Sequence, residues 1–311
     1  MFIINKDINR AMESEKIKNY WHSGLNLLLQ GDESAAQDVW VSVLLQGTLE
    51  EVERWTKELV HLLEVNAIEQ LQIGGFSIAK KCYLSAREID SNYRNNILEG
   101  ILLWRERYLE ECQIKNYKFS TDWFSYNLPV WQQVFKKFVH LPNLNFLEIG
   151  SWEGRTACWL LDNVLTHESS NITCIDTFKG SVEHQNFSDQ FLNSLESIFD
   201  YNINQTGKTN QVSKLIGISQ EILRQLDIDN YDFLYIDGSH IAPDVLEDTL
   251  LGWRLVKVGG IIIFDDYEWG EFRETPTYHP KLAVDTFLTV FQDKIKLLYQ
   301  GYQVVIEKTA N

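Results

Sequence analysis

The chain has 311 residues, enough for about two domains and a sizeable core. Its hydrophobic fraction of 44% and charged fraction of 23% are those of an ordinary globular protein, not of a disordered tail. A formal net charge of -16, with no basic run to offset it, repels phosphate backbones and argues against a nucleic-acid partner.

Met1 to Arg10 alternates charged and apolar residues and lacks the apolar core of a signal peptide. From there to about Asn116 the pattern is helical. Ala35, Val39, Trp40, Val43 and Leu44 recur at helical spacing. Thr48 precedes Glu51 by three residues, a capping box, and the helix it opens carries Val52, Trp55, Leu59, Leu62 and Leu63. Ile78 to Ala86 again places apolar residues on one face. Gly31 with Ala35 and Trp40 shares a layout with Gly75, Ala79 and Tyr83. The run from Ala79 to Tyr93 resembles a degenerate tetratricopeptide repeat, and a plain helical bundle stands beside that reading. Residues 1–117 are therefore expected to form a helical domain, and 118–311 a second one.

The second part opens on a linker, Lys118 to Ser125. Asp122 or Ser125 is expected to cap a helix bearing Val130, Trp131, Val134, Phe135 and Phe138. Past Leu141-Pro142-Asn143 the period changes. Strands are expected at 146–149, 172–176, 212–216, 233–236 and 261–264, with helices between them at 220–226 and 243–255. That alternation predicts an α/β fold with a mostly parallel sheet covered on both faces. The segments 295–299 and 302–307, around Gly301, read as a closing antiparallel hairpin. The 177–210 stretch is longer than an ordinary connection, with a helix expected at 191–199.

No stretch approaches the ~20 apolar residues of a membrane span. Cys82, Cys112, Cys158 and Cys174 form no CxxC pair, so neither a zinc site nor a disulfide framework is indicated. Free thiols in a reducing compartment are expected, and with them a cytoplasmic location.

Glu148-Ile149-Gly150-Ser151-Trp152-Glu153-Gly154-Arg155-Thr156 joins a strand to a helix. Gly150 allows a tight turn, Gly154 lets backbone approach a ligand, and N–H groups at the helix start can meet a carboxylate. The loop is similar to motif I of class I S-adenosylmethionine-dependent methyltransferases. That resemblance implies a cradle for the methionine part of the cofactor, built from Glu148, Gly150, Ser151, Gly154, Arg155 and Thr156, with Glu148 facing the ammonium group. The next strand ends at Asp176, followed by Thr177. An acidic residue there can accept both ribose hydroxyls, and the missing G-x-G-x-x-G leans against a dinucleotide. Gly217-Ile218-Ser219-Gln220 resembles the adenine-contacting turn of the catechol O-methyltransferase family. Ser219 as a plain helix N-cap is the alternative.

Two acidic tips follow strand ends: Asp237-Gly238-Ser239-His240 and Asp265-Asp266-Tyr267. Adjacent strand ends at the carboxyl edge point into one crevice, where three carboxylates repel one another and a hard cation such as Mg2+ relieves the repulsion. From 146 to 308 the order of motifs resembles the metal-dependent catechol and macrolide- or aminocoumarin-sugar O-methyltransferases. In that resemblance Asp237, Asp265 and Asp266 match the metal ligands, and Asp237 also borders the cofactor. Where the catechol enzymes carry a lysine, this chain has His240, whose imidazole titrates near neutral pH and is a credible general base. Its service as a ligand or substrate contact stays open. Tyr267, Trp269 and the 177–210 insertion are candidates for the acceptor wall.

The chain is thus read as a Rossmann-like O-methyltransferase using S-adenosylmethionine and a divalent cation. Its acceptor would be a hydroxylated small molecule, such as a sugar, polyketide or peptide natural product. The helical part is read as a surface for a homodimer or protein partner. Two alternatives remain: a metal-independent carboxylate or N-methyltransferase, and a non-catalytic scaffold docked through the helical domain.

Overall fold

The computed structural model describes residues 2–72, 75–181, 184, 186–270 and 275–311, with side chains from residue 15 onward except at 72. The chain divides into two compact units, Met1–Tyr108 and Leu109–Asn311.

The first unit is helical: α1 (Phe2–Leu29), α2 (Glu33–Leu44), α3 (Leu49–Gln72) and α4 (Phe76–Ile89), with α5 (Asn96–Ile114) running on into the second unit. Asp32 caps α2 by accepting from the Ala35 N–H at 3.0 Å. The expected capping box forms at α3: the Thr48 N–H donates to Glu51 Oε2 at 2.8 Å, and the Glu51 N–H reaches back to Thr48 Oγ1 at 3.4 Å. α1 packs on α2, and α3 on α4. The first pair meets where Trp40 is fully buried: a Cβ on Gly24 would lie 2.1 Å from its indole nitrogen, so only glycine fits. Trp40 Nε1 donates to the Trp21 carbonyl at 3.2 Å. The small residue that receives Trp40 is therefore Gly24.

In the second unit, Asp122 closes the linker by accepting from the Ser125 N–H at 3.0 Å and the Ser125 hydroxyl at 2.6 Å. α6 (Leu128–Phe135) follows, then β1 (Asn145–Ile149), α7 (Arg155–Asn163) and β2 (Asn171–Asp176). The insertion carries two helices, α8 (Asp189–Leu192) and α9 (Leu195–Thr206), instead of the single one expected. Ser188 caps the first by accepting from the Phe191 N–H, and the chain turns at Asn193-Ser194 before α9 starts. Residues 182, 183 and 185 of that insertion lie outside the described residues. Next come β3 (Val212–Ile216), α10 (Ser219–Leu223), β4 (Tyr231–Ile236), α11 (Ala242–Leu255), β5 (Val256–Phe264), α12 (Pro280–Val290), β6 (Ile295–Gln300) and β7 (Val304–Lys308). β5 begins five residues before the apolar run, because Val256 pairs with Tyr231 across a register break.

The seven strands form one sheet in the order β3-β2-β1-β4-β5-β7-β6, parallel except for β7, which runs antiparallel to both β5 and β6. This is the mostly parallel Rossmann-like sheet with a closing antiparallel hairpin. β1 and β4 are buried on both faces, as inner strands of a covered parallel sheet must be. Alternation sorts their side chains. Phe146, Phe233 and Tyr235 pack with Trp131, Phe135 and Trp159 on one face, with Phe135 and Phe233 ring centroids 4.7 Å apart. Leu147, Leu234 and Ile262 join Trp253 and Phe287 in the other layer. The four cysteines are free and buried. Among the described residues no helix is long and apolar enough to cross a membrane.

Candidate active site

The sheet order reverses between β1 and β4. The chain winds outward from β1 through β2 to β3, then returns to β4 on β1's other side. In such a sheet the two neighbouring strand ends open a crevice, because their following loops depart in opposite directions. Here those ends are Ile149 and Ile236.

The two loops touch. The Asp237 N–H donates to the Ile149 carbonyl at 2.8 Å. Gly150 has φ +85°, and a Cβ there would lie 1.9 Å from the Asp237 carbonyl oxygen. Glycine is demanded twice, by the left-handed backbone and by the close approach. The β5 tip joins the same edge, with the Asp265 N–H donating to the Ile236 carbonyl at 3.0 Å.

Glu148 ends β1 with no exposed surface. Oε2 accepts from the Ser151 hydroxyl at 2.6 Å, while Oε1 is buried with no hydrogen-bond partner among the described residues. Burial pushes its carboxyl up to about 7, with the Asp176 charge adding to the rise and hydrogen bonds from Ser151 and Cys174 opposing it. A buried acceptor of this kind asks for a cationic donor. The folded protein thus binds a proton here between pH 4.5 and about 7 that the unfolded chain has released, so this group's contribution to stability falls as pH rises through that window. Asp248, also raised to about 7 by burial, acts in the same direction. We expect the melting temperature of ligand-free protein to drop between pH 5 and 7.5, and Glu148→Gln to shrink that drop. Parallel wild-type and variant curves in scanning calorimetry would remove the assignment.

Asp176 holds the glycine loop. Its Oδ2 accepts from the N–H groups of Ser151 (2.7 Å) and Trp152 (2.8 Å), and its Oδ1 from Phe178 (2.7 Å). The residue expected to meet a ribose therefore fixes the turn beside it. Thr177 Oγ1 accepts from the Lys179 N–H at 3.3 Å. Gly154, at φ +79°, leads into α7, where Thr156 is buried. The Arg155 side chain, expected in the cofactor cradle, makes contacts with the preceding linker. Its guanidinium lies against the linker, 3.7 Å from Asp122 and over the Phe119 ring at 4.4 Å. Ser219 is the first residue of α10, not its cap, which is Ile218. The Ser219 side chain lies beside the Asp248 carboxyl and opposes the rise that burial gives it. Gln220 stands next to it, half-buried.

At the acidic tips, donor atoms of Asp237, His240 and Asp266 lie within 4.8 Å of one another. His240 Nε2 is 2.7 Å from Asp266 Oδ2, and the imidazole packs on Trp269 with ring centroids 4.5 Å apart. Tyr302 donates to Asp266 Oδ1 at 2.7 Å. Asp265 stands outside this three-donor set. Its Oδ2 takes the Tyr235 hydroxyl's hydrogen bond and its Oδ1 the Asp266 N–H, at 2.8 Å. Its charge still acts on the cluster. Asp237 is pushed well up by burial first, then by Asp265 and Asp266. A divalent cation would relieve that repulsion, so the donors present fit one.

Tyr267, proposed for the acceptor wall, is buried instead, and its hydroxyl donates to Asp285 at 2.7 Å. Three residues carry the site without a signal in the sequence. Tyr235 sits inside a strand and reads as core. Tyr302 follows the hairpin glycine. Asp248 lies mid-helix, where an acidic residue ordinarily faces solvent. A further aromatic group gathers at the glycine loop: Trp152 stacks on His184 with ring centroids 4.4 Å apart, and Trp123 lies 5.6 Å from Trp152.

Residues 147–267 match the family described as "Methyltransferase domain". This stretch is the part of the chain that is similar to that family. It contains the glycine loop, Asp176, the Ser219 turn and both acidic tips. Over 140 residues the chain is 28% identical to an uncharacterized protein of Acanthamoeba polyphaga mimivirus. That alignment covers 44% of this chain and 57% of the relative, so the chain spans little more than half of that curated relative's length. Among solved structures, the methyltransferase domain and its surroundings are similar to three O-methyltransferases. TomG of Streptomyces achromogenes, involved in tomaymycin synthesis and solved with SAM, is 13% identical with a TM-score of 0.46 over 70% of this chain and 92% of that one. The Bacillus cereus enzyme solved with SAH is 14% identical, TM-score 0.44, over 72% and 96%. NovP is 19% identical, TM-score 0.43, over 68% and 81%.

Proposed function

We propose that the domain transfers a methyl group from S-adenosylmethionine to a hydroxyl of a small natural-product-type metabolite, assisted by a divalent cation. The observation that carries this reading is the contact of Gly150 with Asp237, which places the cofactor loop against the Asp237–His240–Asp266 cluster. Glu148 Oε1, buried and unpartnered, offers itself to the cofactor's ammonium group. When bound, the sulfonium supplies the electrophilic methyl carbon, and the cation lowers the acceptor hydroxyl's pKa.

The chain's own residues do the rest. Asp237 and Asp266 would hold the cation. His240 takes the acceptor's hydroxyl proton, oriented by its 2.7 Å contact with Asp266 and by the Trp269 ring. The net charge of -16 supports a small acceptor over a nucleic acid, and four buried thiols support a cytoplasmic setting.

The test is methyl transfer to a panel of phenolic and sugar hydroxyls. Turnover is expected to vanish in excess chelator and to return with Mg2+ or Mn2+. Full activity in chelator would instead favour a metal-independent carboxylate or N-methyltransferase.

A further inference from the structure

Asp248 has no role in the methyl transfer proposed, yet it is a buried acidic group with an orphaned oxygen. It sits in the middle of α11 with 1% of its surface exposed. Its Oδ1 is buried and has no hydrogen-bond partner among the described residues. Ser219, the first residue of α10, lies beside the carboxyl and opposes the rise that burial gives it. Oδ2 lies 3.9 Å from where a Cβ would stand on Gly238, the residue after Asp237. The carboxyl thus lies where two loops of the carboxyl edge meet: the turn after β3 and the tip after β4. A native fold rarely leaves a buried acceptor unsatisfied, and one that persists beside a crevice marks a place for a ligand's donor.

We propose that Asp248 is a specificity-determining residue for the nucleobase of the bound cofactor, accepting a hydrogen bond from the exocyclic amine of adenine. The inference rests on the S-adenosylmethionine reading of the site. Three features carry it. The orphaned oxygen is an acceptor, so it selects a ring that carries N–H donors. The carboxyl lies beside Ser219, so a base lying on the Ser219-Gln220 turn comes within reach of the orphaned oxygen. Gly238 presents no side chain between the carboxyl and the crevice. Replacing the amine with a carbonyl sets acceptor against acceptor, and sites built to hydrogen-bond a given group reject its mismatched analogue strongly.

The test is titration calorimetry with S-adenosylhomocysteine and its deaminated analogue S-inosylhomocysteine. Wild-type protein is expected to prefer the adenine compound by at least about 30-fold. Asp248→Asn keeps the shape but can turn an amide N–H to the ligand, and is expected to bring the preference below about threefold. Ser219→Ala, which leaves the carboxyl in place, is expected to keep a preference above about tenfold, and its melting curve controls for general damage to the turn. A wild-type ratio near one, or an Asp248→Asn ratio equal to wild type, overturns the proposal while the cofactor reading stands. If wild-type protein binds neither compound, the cofactor reading itself fails. A purely structural role for Asp248 would weaken both ligands equally and leave the ratio unchanged.

Discussion

Gly150→Ala is expected to cost the second unit on the order of 2–5 kcal/mol and to abolish cofactor binding. The added methyl would stand 1.9 Å from the Asp237 carbonyl oxygen, 2.5 Å from its carbon and 2.8 Å from the Gly238 Cα. These are backbone atoms at the start of the β4 tip, so no rotamer change can make room. Overpacking of a rigid site costs about 1–3 kcal/mol, and the left-handed backbone at φ +85° adds roughly 1–2 kcal/mol for any residue with a Cβ. The internal control is Gly207→Ala. That glycine has φ +71° with nothing within 4 Å of its Cβ position, so only the backbone cost applies, roughly 1–2 kcal/mol. Urea unfolding of both variants separates collision from strain. Equal losses would mean that the two loops are not in contact.

Asp237→Asn is expected to lower kcat by about 10³-fold or more while S-adenosylhomocysteine affinity changes far less. A thousandfold loss is about 4 kcal/mol of transition-state stabilisation. The asymmetry follows from where the residue sits. Its backbone meets the cofactor loop, and an amide side chain leaves that backbone in place. Its carboxyl belongs to the donor set with His240 and Asp266, where the amide loses the charge that attracts a cation. The proton balance changes as well. Asp237 is held well above the ordinary carboxylate range mainly by burial and the two neighbouring aspartates. Neutralising it removes the repulsion that favours cation entry. Single-turnover kinetics read beside calorimetry distinguish the two effects. A kcat within tenfold of wild type would remove Asp237 from the reaction.

Much of this site was legible in the sequence because it is local. Glu148, Gly150 and Asp176 sit at strand ends, where a two-residue period stops, and Gly154 sits at the start of the helix that follows. The pairing of Gly150 with Asp237 also follows from strand order, since the hairpin and the alternating helices dictate a switch beside β1. What could not be read is long-range side-chain direction. Arg155 turns to Asp122 and Phe119 because a linker 33 residues upstream offers a carboxylate and a ring. Asp265 turns inward because Tyr235 donates to it from the neighbouring strand. Gln303 and Trp131 extend that chain of contacts, with the Trp131 indole donating to Gln303 at 2.7 Å across 172 residues of sequence. A period of two or 3.6 places residues on faces, but it carries no information about which buried polar groups pair. Asp265 thus pairs with Tyr235 and the Asp266 N–H, while His240 stands against Asp266.

The central claim is that one crevice holds the cofactor on the glycine loop and a cation on the acidic tips. A crystal structure grown with saturating S-adenosylhomocysteine and Mg2+ measures it directly. The expected result is the amino-acid end of the ligand at Glu148, its base on the Ser219-Gln220 turn, and an ion about 2.0–2.1 Å from carboxylate oxygens of Asp237 and Asp266. A ligand bound away from Gly150, or an ion absent from both aspartates with the cofactor in place, would contradict it.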